Sequence, residues 1–360
     1  MSQTSRTLAS ALGLLALAPA GLLADGPKFT GYVTGTYSKD FNQPIDGNNS
    51  YYNYYGGKEA SFLLNAVHLT VNGGDSAGAT YTIDLDGGTD GTHNVGVLSS
   101  GKGWAFDIQQ AFATVPFGKS IVSLTGGKFY TSEGIEVLNS AANPTVTRGL
   151  LFGQLEPVST TGAYLTFKFA DAVSLSIGAV NGWDNWTVSN DGSGIPTEYT
   201  KLALNFGDPF AATITTYYGP QPGTRDARSS TDLTGVTKIV PNLAINFQAN
   251  YQVDSKAATS ATTGKTLDFS AFGFGLQPLY VVGAAQVGFR YEFLAAGDGE
   301  DKGLYVNSIS LAPGYKLTQN SLLRLEYRID FANVKTFADD KALANSKNDQ
   351  VVTAELNYTF

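Results

Sequence analysis

The 360-residue chain contains no cysteine. In an exported protein that excludes a disulfide framework, and it excludes a thiolate zinc site. Histidine is nearly absent too, with only His68 and His93, so imidazole chemistry has little to draw on. Charge is scarce: 15% of residues are charged, where soluble proteins carry about 25%. The formal net charge of −8 argues against nucleic-acid binding. Beyond the N-terminal stretch no continuous apolar run reaches the roughly 20 residues of a membrane-spanning helix, which excludes a helical inner-membrane protein.

The N-terminal stretch reads as a secretory leader. Arg6 supplies the positive end, and Leu8 to Leu17 is apolar but too short to span as a helix. Ala18-Pro19-Ala20 is one cleavage match, and Ala24 before Asp25 is another. A buried amphipathic helix is the alternative. Residues 1–24 are therefore expected to be a signal peptide, with cleavage after 20 as the other option. Residues 25–360 then form a single domain, because no composition shift marks a second one. Such a chain would be exported through its leader, to the periplasm, the exterior or the outer membrane.

Glycine (41 residues) and aromatic residues (12%) are plentiful, and their arrangement has period two from end to end. Val352, Ala354, Leu356, Tyr358 and Phe360 share one face of the last segment, while Thr353, Glu355, Asn357 and Thr359 share the other. Leu323, Leu325, Tyr327, Ile329 and Phe331 alternate with Arg324, Glu326, Arg328 and Asp330. Leu243 to Val253 alternates with Ala244 to Asp254 in the same way. A soluble sandwich has this parity as well.

Spacing decides between them. Strands are predicted near 28–38, 59–72, 77–87, 104–116, 120–130, 161–170, 172–182, 197–207, 209–219, 229–240, 242–254, 266–277, 279–294, 303–316, 320–332 and 349–360. Short turns, such as Phe117-Gly118-Lys119, Pro241-Asn242 and Gln277-Pro278, alternate with longer polar loops, such as 39–57, 131–160 and 333–348. This rhythm is the plan of a transmembrane antiparallel β-barrel of about 16 strands, with short periplasmic turns and long outer loops. In lipid every backbone N–H and C=O must be bonded within the protein, so strands span only as a closed barrel. Aromatics near strand ends, including Tyr217, Tyr218, Tyr291, Phe293, Tyr315 and Phe331, fit interface girdles, although strand propensity also favours them.

The chain resembles the porins of Gram-negative bacteria. More narrowly, it resembles the OmpL-like putative β-barrel porin-2 family. The narrower resemblance rests on Gly127-Lys128-Phe129, then Gly134, Glu136, Asn143-Pro144, Arg148, Glu156-Pro157, Thr161-Gly162 and Asn181-Gly182-Trp183-Asp184. Phe360 resembles the terminal signal read by the barrel-assembly machinery. The resemblance implies an outer-membrane pore surrounded by lipid and says little about a solute; small hydrophilic solutes are the leading expectation. Flow down a gradient needs no cofactor, and no metal site and no enzymatic activity are expected. Porins of this plan are trimers, so a homotrimer is one expectation, although no residue marks a subunit interface.

A barrel of this size leaves a water-filled lumen. Loop 131–160 is the third outer loop, the one that folds into the lumen in such porins, and it is the candidate constriction. It carries Glu133, Glu136, Arg148 and Glu156, with Lys128 just before it, and the apolar Leu150, Leu151 and Phe152. A packed outer lid is the other reading of this loop. By parity, Lys168, Arg290, Glu292, Arg324, Glu326, Arg328 and Asp330 belong to the pore-lining wall. Loop acids facing wall arginines would make a mixed-charge constriction. A salt-bridge ladder that holds the wall explains the same residues.

Two further motifs have competing readings. The Asp84-to-Gly91 run could supply oxygen ligands to calcium or be an ordinary solvated loop. Tyr51, Tyr52, Tyr54 and Tyr55 could stack sugars or merely pack a loop. The leading function is passive diffusion. Alternatives are a channel selective for a sugar or an anion, and a plugged structural or adhesive barrel. An enzyme would need a nucleophile with a positioned base, and neither His68 nor His93 sits in such a motif.

Overall fold

A computed structural model describes residues 26–43, 60–92, 98–99, 103–185, 194–207, 209–220, 226–260, 262–300, 303–339 and 345–360. The leader at 1–24, the cluster Tyr51, Tyr52, Tyr54 and Tyr55, and His93 lie outside these residues.

The strands are β1 (Lys28–Asp40), β2 (Ser61–Gly74), β3 (Thr80–Gly88), β4 (Leu98–Ser99), β5 (Ala105–Pro116), β6 (Val122–Tyr130), β7 (Ser159–Ala170), β8 (Val173–Val180), β9 (Thr197–Asn205), β10 (Phe210–Pro220), β11 (Ala227–Val240), β12 (Leu243–Thr259), β13 (Thr266–Val282), β14 (Ala285–Gly297), β15 (Leu304–Lys316), β16 (Ser321–Ala332) and β17 (Asn348–Thr359). All 17 belong to one sheet. The two-residue β4 pairs only with β5, which leaves 17 − 1 = 16 strands in the wall. Each wall strand is antiparallel to the next, and β17 returns to pair with β1 from Tyr32↔Thr359 to Asp40↔Val351. The wall therefore closes on itself, and among the described residues none of its 16 strands is left as an edge.

Period two sorts the side chains as lipid on one face and a packed lumen on the other demand. On β16, Leu323, Leu325 and Tyr327 are exposed on the outside, while Arg324, Glu326 and Arg328 are buried inside. Phe117, Phe169, Phe206, Tyr280 and Tyr315 ring the short-turn end; Phe62, Tyr218, Tyr251, Tyr305 and Phe331 ring the long-loop end. These are the two interface girdles of a membrane barrel. Tyr217 departs from the girdle expectation. It faces inward and is buried, because neighbours in a strand point to opposite faces.

Two boundaries differ from the sequence reading. Gln277-Pro278 is not a turn. Both residues lie within β13, and the chain reverses at Gly283-Ala284. Proline has no N–H to give the ladder, so pairing with β14 breaks off after Leu276↔Tyr291 and resumes at Leu279↔Gly288. Pro278 keeps its partner Ile245 on the other side. The loop expected at 255–265 is also shorter, because β12 and β13 continue pairing to Thr259↔Thr266. Each of these strands has 17 residues, against roughly 9–11 needed to span a bilayer.

The interior is filled mainly by the segment between β6 and β7. Leu150, Leu151 and Leu155 pack on Ala271, Leu294, Val306 and Phe337. Leu138 and Phe152 pack with Tyr130 and Val158.

Candidate functional site

The segment from Thr131 to Val158 enters the barrel and lies along the inner faces of β11 to β17. Its apolar run forms a short helix, Leu150–Gln154, with Leu150 and Leu151 fully buried. No side chain of the segment itself caps that helix. Glu292 from the wall does so instead, accepting the N–H groups of Leu150 at 2.7 Å and Leu151 at 3.4 Å. A carboxylate suits these orphan donors at a helix start.

Arg290 is the hub. It is 0% exposed. Its guanidinium donates to Glu136 at 2.8 Å and to Glu326 at 3.3 Å, and lies 3.5 Å from Glu292. It also reaches Thr145 Oγ1 at 2.9 Å and the Thr147 carbonyl. Glu326 accepts the N–H groups of Val146 at 2.8 Å and Thr147 at 2.6 Å. Arg324 pairs with Glu355 at 2.7 Å and donates to Asn143 O at 2.7 Å. Arg328 pairs with Asp330 at 2.9 Å and donates to Arg148 O at 2.7 Å. Arg148 turns back on its own segment and binds the carbonyls of Val137, Leu138 and Val146. Ser140 donates to Glu355. Close approach also demands a missing side chain: a Cβ on Gly288 of β14 would overlap the Pro144 carbonyl.

The two ends are held as well. Ser132 Oγ meets Tyr199 Oη at 2.9 Å, and Gly134 donates to Asp232 at 3.1 Å. Glu133 accepts from Ser230 at 2.9 Å, and Glu156 from Gln248 at 2.6 Å. Asp184 accepts the N–H groups of Val158 and Ser159 at 2.7 and 2.9 Å; burial pushes its carboxyl up to about 6. Lys128 binds Asp107 at 3.3 Å and Ile108 O at 2.6 Å. Lys168 stands apart. It has inward parity but sits at the short-turn rim, paired with exposed Asp171 at 2.8 Å.

Thus Glu133, Glu136, Arg148 and Glu156 are all buried between segment and wall. Their partners are wall side chains and backbone. Parity could assign Asp232 and Gln248 to the inside; nothing in spacing pairs them with Gly134 and Glu156. Asp84 and Asp86, read above as possible calcium ligands, are strand residues facing His68 at 3.7 and 3.4 Å. Among the described residues no group of three or more His, Cys, Asp or Glu side chains is placed to hold a metal.

Below the segment, toward the short turns, lies a cavity of about 600 Å³. Its walls are the inward residues of β1 to β7, among them Tyr32, His68, Thr70, Asn72, Phe112 and Tyr164, and the segment's residues from Thr131 to Ala142 form its roof.

Aromatic girdles, inserted segment and closed sheet together describe a porin-type barrel. The family described as "Putative beta-barrel porin-2, OmpL-like" matches residues 26–360. The chain belongs to this family. As an OmpL-like porin it is an outer-membrane channel protein, with lipid around its outward face. None of the curated proteins matches this porin in sequence. Its fold is similar to the outer membrane channel DcaP of Acinetobacter baumannii, with a TM-score of 0.63, 13% identity, and 93% of this chain and 97% of that one covered. It is similar to an anion-selective porin from Comamonas acidovorans, with a TM-score of 0.61, 10% identity, and 93% and 99% covered. It is also similar to the trimer form of in-vitro folded OmpT of Vibrio cholerae, with a TM-score of 0.57, 10% identity, and 93% and 99% covered. At these identities the likeness concerns the fold.

One prediction for this porin follows from its segment acids. Burial, and then the charge of Asp232, push the carboxyls of Glu133 and Glu156 well above the usual carboxylate range. Arg228 partly offsets this at Glu133, while Glu136 and Glu292 add to it at Glu156. A carboxyl raised in the folded state stabilises it fully below the ordinary range, and that stability is lost as pH rises through the raised value. The segment is therefore expected to loosen toward alkaline pH, giving larger and noisier single-channel currents. Glu156→Gln should flatten the dependence. A wild-type current that ignores pH across this range would count against it.

Proposed function

We propose that this porin passes small hydrophilic solutes passively and that the segment 131–158 sets its narrowest part. The observation that carries this reading is the grip of Arg290, Arg324, Glu326 and Arg328 on the segment's backbone inside the barrel. A narrowing must keep its position while solutes push past it, and a segment bound by buried charges does so. In this reading Glu133, Glu136, Arg148, Glu156 and Lys128 hold the narrowing in shape rather than face the solute. Lys168 would contribute charge only at the rim.

Planar-bilayer recording tests the proposal. The wild type should show ohmic steps. Gly288→Val keeps every charge but overpacks the crossing point at Pro144, a cost of about 1–3 kcal/mol. Its conductance should rise severalfold as the segment shifts. Unchanged conductance in Gly288→Val would remove the segment from this role. No conductance in the wild type would favour a plugged structural barrel instead. Export through residues 1–24 and a homotrimeric assembly belong to the same proposal. The similar OmpT structure described as a trimer form supports the latter.

A further inference from the structure

We propose that the chamber below the inserted segment is a binding site for an uncharged polyhydroxylated solute of mono- or disaccharide size. The proposal rests on the channel reading above and gives it a substrate class.

Size comes first. The chamber holds about 600 Å³, inside the roughly 300–1,000 Å³ range of small-molecule sites. Its chemistry is the deciding feature. The polar groups on its walls are almost all neutral: Thr30, Thr70, Asn72, Thr82, Gln110 and Asn139. The charged side chains lining it are His68 and Asp84, and they face each other at 3.7 Å. Asp84 also accepts from Gln110 at 2.6 Å. His68 lies between Asp84 and Asp86, at 3.7 and 3.4 Å, so any positive charge on its ring is matched by carboxylates rather than offered to an anion.

The apolar part of the lining is aromatic. Tyr32 lies stacked on His68 at 4.6 Å. Across the chamber Phe112, Phe129 and Tyr164 form one buried cluster, with the Phe129 and Tyr164 rings edge to face at 5.1 Å. The row continues beneath the segment, Tyr164 to Tyr199 and Tyr199 to Tyr217, each at 5.3 Å. Aromatic faces are apolar yet polarised. They suit the C–H face of a pyranose ring, whose hydroxyls would meet the surrounding amides and hydroxyls. Asn72 is well placed for this role. Its Oδ1 accepts from Thr82 at 2.8 Å, and the residue is half-exposed on the chamber wall. A purely hydrophobic ligand would strand these polar groups, at a cost of desolvation.

Current blockade by maltose in planar bilayers tests the site, with sodium gluconate as the charged comparison. Maltose added on the short-turn side should reduce the open current with saturation, and gluconate should do so much less. Tyr164→Ala should raise the half-saturating maltose concentration about two- to tenfold. Because Tyr164 is buried and its loss could disturb folding, Asn72→Ala serves as the second variant. It is half-exposed and should raise the same constant about threefold. Open channels whose current maltose never saturates, or variants with the wild-type constant, would overturn the chamber proposal and leave the channel reading intact. Absence of any wild-type channel would instead overturn the channel reading.

Discussion

Replacing Arg290 by methionine is expected to release the inserted segment and cost the barrel about 3–5 kcal/mol, the penalty of breaking a buried charge network from one side. The reason lies in what is left behind. Glu136, Glu292 and Glu326 are each within 3.5 Å of the Arg290 guanidinium, and all three are buried. Without it, three carboxylates face one another in a dry interior. They must take up protons or admit water, and water can enter only if the segment moves. Two readouts should change together. The barrel should unfold at lower denaturant concentration, and single-channel conductance should rise. Arg290→Lys keeps the charge but not the planar fork that reaches several acceptors at once, so it should restore part of the stability and less of the segment's position. Wild-type conductance in Arg290→Met would mean that the remaining contacts suffice and that the hub assignment is wrong.

Deleting Phe360 should produce the second large effect, a loss of folded barrel from the membrane. The closing seam depends on this residue. Its N–H donates to Gly31 O at 2.9 Å, and its carbonyl accepts from Gly31 N at 3.0 Å. Two such bonds are worth about 1–3 kcal/mol net. Its ring lies against the bare Cα of Gly31, where an added Cβ would overlap both the ring and the His68 carbonyl. Gly31→Val therefore separates two roles. It spoils the seam but keeps the terminal aromatic that assembly machinery would read. If both variants assemble poorly, closure is the weak point. If only the deletion does, the terminal signal dominates. Normal insertion of the deletion variant would count against both.

Much of the barrel was legible because lipid and lumen impose opposite demands on successive residues. Leu323 to Phe331 and Val352 to Phe360 show that demand in sequence and adopt it in structure. The loop rhythm then gave the number of wall strands. Leu150, Leu151 and Phe152 marked loop 131–160 as unusual, since a solvated loop has no use for them. What period two cannot express is what lies opposite. It puts Arg290 and Gln248 inside without pairing them to Glu136 and Glu156, which lie 154 and 92 residues away. Pro278 misled for a related reason: a proline interrupts one ladder, and the sequence does not say that the other ladder holds the strand. Lys168 had the correct parity, but height along the strand placed it at the rim.

The barrel has two territories that share almost no side chains. Contacts that fix the inserted segment come largely from β11 to β17, whereas the chamber is walled chiefly by β1 to β7. Substitutions that reshape the chamber can therefore accumulate without loosening the segment. A lineage of such barrels could change what it admits while inheriting its architecture unaltered, and an engineer could follow the same route by randomising positions such as 70, 72, 82 and 112 on one hemicylinder alone.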